Sequence, residues 1–294
     1  MSLNRPIWKL RDWIDKDNLD WDILSLNKNA IDLLKENPEN IDWIFLSENP
    51  NAIELLEANP VMIDWSSLSL NKNAIHLLEE NTENIDWNNF SNNKNAIQLI
   101  EKNQDKINWI SISYNKNAIK LLEENPEKID WYNLSENVNA IDLLKANPNK
   151  INWKYLSLNK NAIDLLKANQ DKIDWDNLSL NKNVIELLKA NPEKINWDSL
   201  SKNENAIELL EANPEKINWN NLSLNNNAIE LLKANIDKIY WFSLSLNPSI
   251  FELDYEKMKY NNQEMYEELI KEVMKPSRVF KNPDYDYLEE LFGD

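Results

Sequence analysis

Residues 174–195 read Asp174-Trp175-Asp176-Asn177-Leu178-Ser179-Leu180-Asn181-Lys182-Asn183-Val184-Ile185-Glu186-Leu187-Leu188-Lys189-Ala190-Asn191-Pro192-Glu193-Lys194-Ile195. The same 22-residue pattern fills most of the chain. Trp recurs at 21, 43, 65, 87, 109, 131, 153, 175, 197, 219 and 241, and only Trp8 and Trp13 fall outside the series. A Ser stands four residues after each of these Trp residues, from Ser25 to Ser245, and an Asn six residues after, from Asn27 to Asn247. Self-similarity at a fixed short period marks a repeat architecture. It overrides the two-domain expectation that 294 residues would otherwise carry.

Each unit carries two helix signals. Asp or Asn precedes Trp in ten of the eleven copies, with Tyr240 the exception. These side chains accept bonds from the first free amides of a helix. The first helix then runs through Trp and the apolar residue three later (Leu24, Leu46, Leu68, Phe90, Ile112) to the Asn of Ser-x-Asn. That Asn reads as the cap of a second, longer helix, with Pro50 and Pro248 at its first position. Ala52, Ile53, Leu55 and Leu56 give this helix one apolar face. It stops at a second Asn, at 37, 59, 81 and on to 235, followed by Pro in six copies. Asn tolerates the left-handed backbone that closes many helices, and Pro does not continue one.

A leucine-rich repeat is the rival reading, since Leu24-Ser25-Leu26-Asn27-Lys28-Asn29-Ala30-Ile31 fits its pattern. The second Leu, however, becomes Glu48, Asn92, Glu136 and Lys202 in other copies. A buried strand position does not accept those residues, and Pro50 and Pro248 interrupt a strand there. The sequence therefore predicts an all-α solenoid of eleven 22-residue two-helix repeats with helical caps at both ends. One unit is too small to bury its apolar face, so stability comes from neighbours. At helix spacings of ~8–10 Å the array is expected to be a rod or superhelix on the order of 100 Å along its path.

The expected organisation is an N-terminal capping helix over 1–19, repeats over 20–250, and a C-terminal capping helix with a tail over 251–294. Ile7, Trp8, Leu10, Trp13 and Ile14 supply the apolar stripe of the first cap. At the other end the eleventh copy changes to Ser249-Ile250-Phe251. A longer helix follows over 255–274, and Asp284 to Asp294 is acidic and aromatic.

Composition excludes several function classes. There is no Cys, one His (His76) and one Gly, Gly293. A thiolate metal site, a His-based metal pair and a glycine-rich phosphate loop are thus ruled out. No catalytic residue, cofactor or metal is expected. The net charge of −18 disfavours nucleic acid and anionic membranes, and favours solubility and a basic partner. No apolar run reaches membrane-spanning length, and the N-terminus lacks the apolar core of a signal peptide. The expected location is inside the cell.

The unit Ile-Asp-Trp-x-x-Leu-Ser-x-Asn-x-Asn-Ala-Ile-x-Leu-Leu-x-x-Asn-Pro resembles the short repeats of proteins encoded by giant viruses of the mimivirus and phycodnavirus type. The resemblance extends to the opening, Leu10-Arg11-Asp12-Trp13-Ile14-Asp15, and to the close, Asn247 to Tyr255 with Lys275 to Arg278. Lys28, Lys72 and others stand where that family usually carries Pro, at positions read as surface. The resemblance implies a viral repeat scaffold in the host-cell cytoplasm or the virion. It supplies no catalytic residues.

The repeated Trp, Ser and Asn read as architecture. Their regular spacing fits burial between units, caps and turns better than a ligand platform. His76 reads as an exposed residue. The copies disagree one, two and five residues after Trp, where Ile23, Ile44, Phe45, Ile110, Tyr114, Tyr132, Tyr155 and Phe242 mix with polar residues. Apolar residues on an exposed, variable row suggest a recognition surface, with drift on a tolerant surface the alternative. The expectation is a non-enzymatic adaptor that binds a viral or host protein partner as a monomer. A structural virion component or self-assembling filament is the runner-up.

Overall fold

A computed structural model describes residues 6–273. Repeats one to ten each contain a first helix, a second helix and a short 3-10 turn. In the first repeat these are Trp21–Leu26, Ile31–Glu36 and Pro38–Asn40. In the sixth they are Trp131–Glu136, Ile141–Ala146 and Pro148–Lys150. The two helices are equally short, so the expected longer second helix is corrected. The eleventh repeat has its first helix, Trp241–Ser245, then a 3-10 turn and a strand in place of the second helix.

The first helix starts as the sequence predicts. Asp20 and Asp42 accept from the amides of Ile23 and Phe45 at 3.0 and 2.9 Å, and Tyr240 offers no side-chain cap. The second helix starts differently. The Asn of Ser-x-Asn closes a turn: Asn49 Oδ1 accepts from the Asn51 amide at 3.0 Å, and the helix begins only at Ile53, after Ala52. Its end also departs from expectation. Asn59 has φ −134° and ψ 58°, outside the left-handed region, and its Nδ2 donates back to the Leu55 carbonyl at 2.9 Å. The side chain, not a positive φ, satisfies the helix end.

The core is a Leu–Ala–Leu stack. Leu24, Ala30 and Leu34, and their equivalents Leu46, Ala52 and Leu56, have no exposed surface. A fully buried Leu contributes about 1.5–3 kcal/mol, and here that burial comes from the adjoining repeats. Trp is not part of this fully buried set; every repeat Trp is half-buried. In six repeats a Lys of the 3-10 turn lies over the indole, as Lys194 does over Trp175, 4.6 Å from the ring centre.

Hydrogen-bond ladders join the repeats, two of them through the Ser and Asn that never vary. Ser25 Oγ donates to the Trp21 carbonyl at 3.1 Å and accepts from the Asp42 amide of the next repeat at 3.0 Å. Asn49, fully buried, donates through Nδ2 to the carbonyls of Ser25 and Asn27 at 2.9 and 3.0 Å. Counting the turn at Asn51, both amide hydrogens and one oxygen lone pair of the Asn are thereby used. Neither Asp nor Leu can reproduce that set, which explains why this residue never varies among the repeats.

Both ladders continue across the ends of the array. The Asp20 amide donates to Ser245 Oγ at 2.9 Å, and Asn27 Nδ2 to the carbonyls of Ser245 and Asn247 at 2.9 and 3.1 Å. The first helix of repeat one packs on that of repeat eleven. The repeat body, residues 10–251 taken by itself, is therefore a closed ring of eleven units. This corrects the expected rod or superhelix. The expected path of ~100 Å becomes a circumference, which puts the first-helix axes on a circle roughly 30 Å across. Neighbouring first helices make the closest helix contacts, while second helices stay farther apart. The first helices therefore form the inner tier.

A clasp secures the seam. The Arg11 amide donates to the Ile250 carbonyl at 3.0 Å and Arg11 Nε to the Ser249 carbonyl at 2.8 Å. The expected N-terminal helix is also corrected. Trp8–Leu10 forms strand β1, followed by a 3-10 turn at Lys16–Asn18. β1 pairs with β2, Phe251–Leu253. The pairing is antiparallel, since Arg11 bonds to Ile250 and the Asp254 amide to the Ile7 carbonyl. This register sets Lys9 opposite Glu252, 3.5 Å apart. β1 is too short to show the alternation of a strand, and its partner lies over 240 residues away in sequence. Of the described residues, 6–9 and 252–273 belong to a second, smaller unit that contains the helix Tyr255–Val273. The acidic tail 284–294 lies outside the described residues. Among the described residues no helix is long and apolar enough to cross a membrane.

Candidate functional site

Residues one, two and five after Trp share the face of the first helix turned away from its core residue three after Trp. Positions one and five are a helical turn apart, and position two flanks them. Because first helices form the inner tier, this face is the inner wall of the ring. Every variable position singled out from the sequence lies on it.

At the N-terminal end of the wall, Ile44, Ile110, Tyr132 and Phe242 are 57%, 60%, 61% and 58% exposed. Phe45, Tyr155 and Ile23 are half-buried beside that row. Tyr132 and Tyr155 meet edge to face, with ring centres 6.2 Å apart. They occupy positions one and two of consecutive repeats. Ring closure gives Phe242 and Ile23 the same relation across the seam. The apolar residues thus form two groups, one over repeats five to seven and one over repeats eleven, one and two. Polar arcs separate them. Ser66 and Asn89 occupy one arc, with Asn89 Nδ2 donating to the Ser66 carbonyl at 3.1 Å. Asp198 and Asn221 repeat that bond in the other, at 2.8 Å.

Tyr114 lies elsewhere, at the C-terminal end of the wall and 44% exposed. It borders a cavity of about 500 Å³ whose lining residues all come from positions five to eight after Trp, in six consecutive repeats. Such convergence of one register from six repeats is possible only on the concave side of a tightly curved stack. Lys94, Lys116, Lys160 and Lys182 line it, with Glu136 the one carboxylate. Sequence reading missed this cluster by treating Lys at position seven as a neutral replacement of Pro. The recoverable signal was Lys at that one position in six repeats of a chain with net charge −18.

Burial perturbs three groups on this wall. Glu48 and Glu136 occupy a position that is most often Leu, and desolvation holds both above the usual carboxylate range. Tyr114 is raised by burial and then by the charge of Glu136. His76 is exposed, with Nε2 2.9 Å from Glu57 Oε1 on the second-helix side. Among the described residues no group of three or more His, Asp or Glu is placed to hold a metal.

Comparison with family models, with curated proteins and with solved structures gives no match to this chain.

Proposed function

We propose that this protein is a non-enzymatic scaffold that holds a protein partner against the inner wall of its ring. The observation that carries this reading is the row of Ile44, Ile110, Tyr132 and Phe242, each more than half exposed in a register where the other seven repeats carry polar residues. Nothing in the repeat requires these side chains, since Ser66, Asn88 and Asp176 fill the same register without loss of the ladders. Aromatic and aliphatic anchors of this kind dominate the energy of protein interfaces. The partner is a segment that presents apolar side chains to the Tyr132–Tyr155 pair. In keeping with the sequence resemblance, we place this activity in a giant-virus infection, in the host cytoplasm.

The runner-up, a self-assembling filament, loses its simplest route. Head-to-tail growth needs an unpaired repeat face at each end, and repeats one and eleven use theirs on each other. The test compares proteins captured from infected cells by the native chain and by Ile110→Ser/Tyr132→Ser/Tyr155→Ser, with light scattering on both. A monomeric native chain and a partner lost only by the variant support the scaffold. Identical capture profiles, or a native chain that polymerises through these residues, overturn it.

A further inference from the structure

We propose that the C-terminal end of the inner wall is a binding site for a compact polyanion carrying several phosphate groups. The site is independent of the apolar row at the other end of the wall, and so is its test.

The argument starts from charge. The chain carries −18 overall, yet Lys94, Lys116, Lys160 and Lys182 line one cavity whose lining holds a single carboxylate, Glu136. Lys182 pairs with Glu204 of the next repeat. Lys94, Lys116 and Lys160 have no carboxylate partner among the described residues. Concentrating like charges on a concave surface is unfavourable unless an anion offsets it, and concave walls focus the resulting field.

The cluster is also held in place. The backbone of each lysine is tied to the Asn of the following repeat: Asn117 Nδ2 donates to the Lys94 carbonyl at 2.8 Å, Asn139 to Lys116 at 2.8 Å and Asn183 to Lys160 at 3.0 Å. The stems leave from fixed points while the ammonium groups remain free to adjust. That arrangement lowers the ordering cost of binding.

Size and surroundings select the ligand class. A volume of about 500 Å³ lies in the range of small-molecule sites, ~300–1,000 Å³. A long nucleic acid would extend beyond the lysines and meet the rest of an acidic molecule. A compact polyphosphate keeps all its charge within a Debye length, ~8 Å at physiological salt, of the ammonium groups. Val138 and Glu204 interrupt the cationic register, which also favours a ligand held by a few concentrated charges over one that needs a continuous track.

The test is titration calorimetry of the full chain with inorganic tripolyphosphate at physiological salt. Two variants each remove four positive charges: Lys94→Gln/Lys116→Gln/Lys160→Gln/Lys182→Gln on the inner wall and Lys145→Gln/Lys167→Gln/Lys189→Gln/Lys233→Gln on the second helices. All eight lysines are exposed, and circular dichroism confirms that each variant keeps its fold. The expected result is saturable binding by the native chain, weakened at least about tenfold in the inner variant and little changed in the outer one. Absence of binding by the native chain, or equal weakening in both variants, overturns the proposal. Binding of hexaglutamate in preference to tripolyphosphate overturns the phosphate class.

Discussion

Asn27 donates through Nδ2 to the carbonyls of Ser245 and Asn247 at 2.9 and 3.1 Å. Asn137 makes the same two bonds to Ser113 and Asn115, at 3.0 and 3.1 Å. The pairs are equivalent although the first spans 218 residues and the second 24. Repeat one is therefore an interior repeat, and the array lacks the exposed end faces that a solenoid ordinarily has to cap.

Substitution at the seam is expected to cost as much as substitution within the array. Asn137→Ala leaves the buried Ser113 carbonyl without a donor and takes one of two donors from the Asn115 carbonyl, which keeps the Ala118 amide, a loss of about 1–3 kcal/mol. Asn27→Ala is expected to match it in urea denaturation, because its carbonyl partners are equally buried. A near-zero cost for Asn27→Ala would indicate a frayed first repeat.

Capping offers a gain and a loss in the same fold. Tyr240 stands where ten repeats have Asp or Asn and makes no side-chain cap. Tyr240→Asp is expected to stabilise by about 0.5–1 kcal/mol, and Asp174→Ala, which removes the bond to the Asn177 amide, to destabilise by about 1 kcal/mol. Thermal denaturation of the two variants reads both signs.

The lysine over the indole of six repeats gives a second matched pair. Lys194 covers Trp175 at 4.6 Å, while Asn84 stands at the same register after Trp65. Lys194→Ala is expected to cost about 0.5–1 kcal/mol, and Asn84→Lys to add a similar amount. Tryptophan fluorescence quenching by acrylamide should rise in the first variant and fall in the second.

Stability is expected to fall slightly as pH rises above the ordinary carboxylate range. Glu48 and Glu136 have folded-state pKa values raised by burial. A carboxyl raised on folding holds its proton more tightly in the folded chain, so folding loses ground as pH climbs from the unfolded pKa through the folded one. Glu48→Gln/Glu136→Gln should flatten that part of the curve in denaturation at pH 4 to 7. Glu136→Gln should also lower the Tyr114 pKa in an ultraviolet titration, since the Glu136 charge is one of its two causes.

Local structure was largely legible in the sequence because local rules set it. The Asp cap before Trp and the burial of Leu24, Ala30 and Leu34 follow from spacing alone. The variable row at Ile44, Ile110 and Tyr132 was recognised as exposed for the same reason. Closure was not legible, because it depends on a small rotation per repeat summed over eleven interfaces. The role of Asn27 was misread as a helix cap, since its partners lie on the repeat before it and, through closure, at the far end of the chain. The lysine cavity stayed hidden for the same reason: Lys94 and Lys182 share a lining only once the stack is curved.

Ring closure is tested most directly by electron-resonance distances between spin labels, which a chain without native cysteine accepts cleanly. The sites are the exposed residues one after Trp: Asp22 in repeat one paired with Asn88 in repeat four, Tyr132 in repeat six or Asp198 in repeat nine. A closed ring of eleven places repeats four and nine three steps from repeat one, in opposite directions. The Asp22–Asn88 and Asp22–Asp198 distances are then equal, and Asp22–Tyr132 is the longest of the three. A distance that grows steadily from Asn88 through Tyr132 to Asp198 would contradict closure.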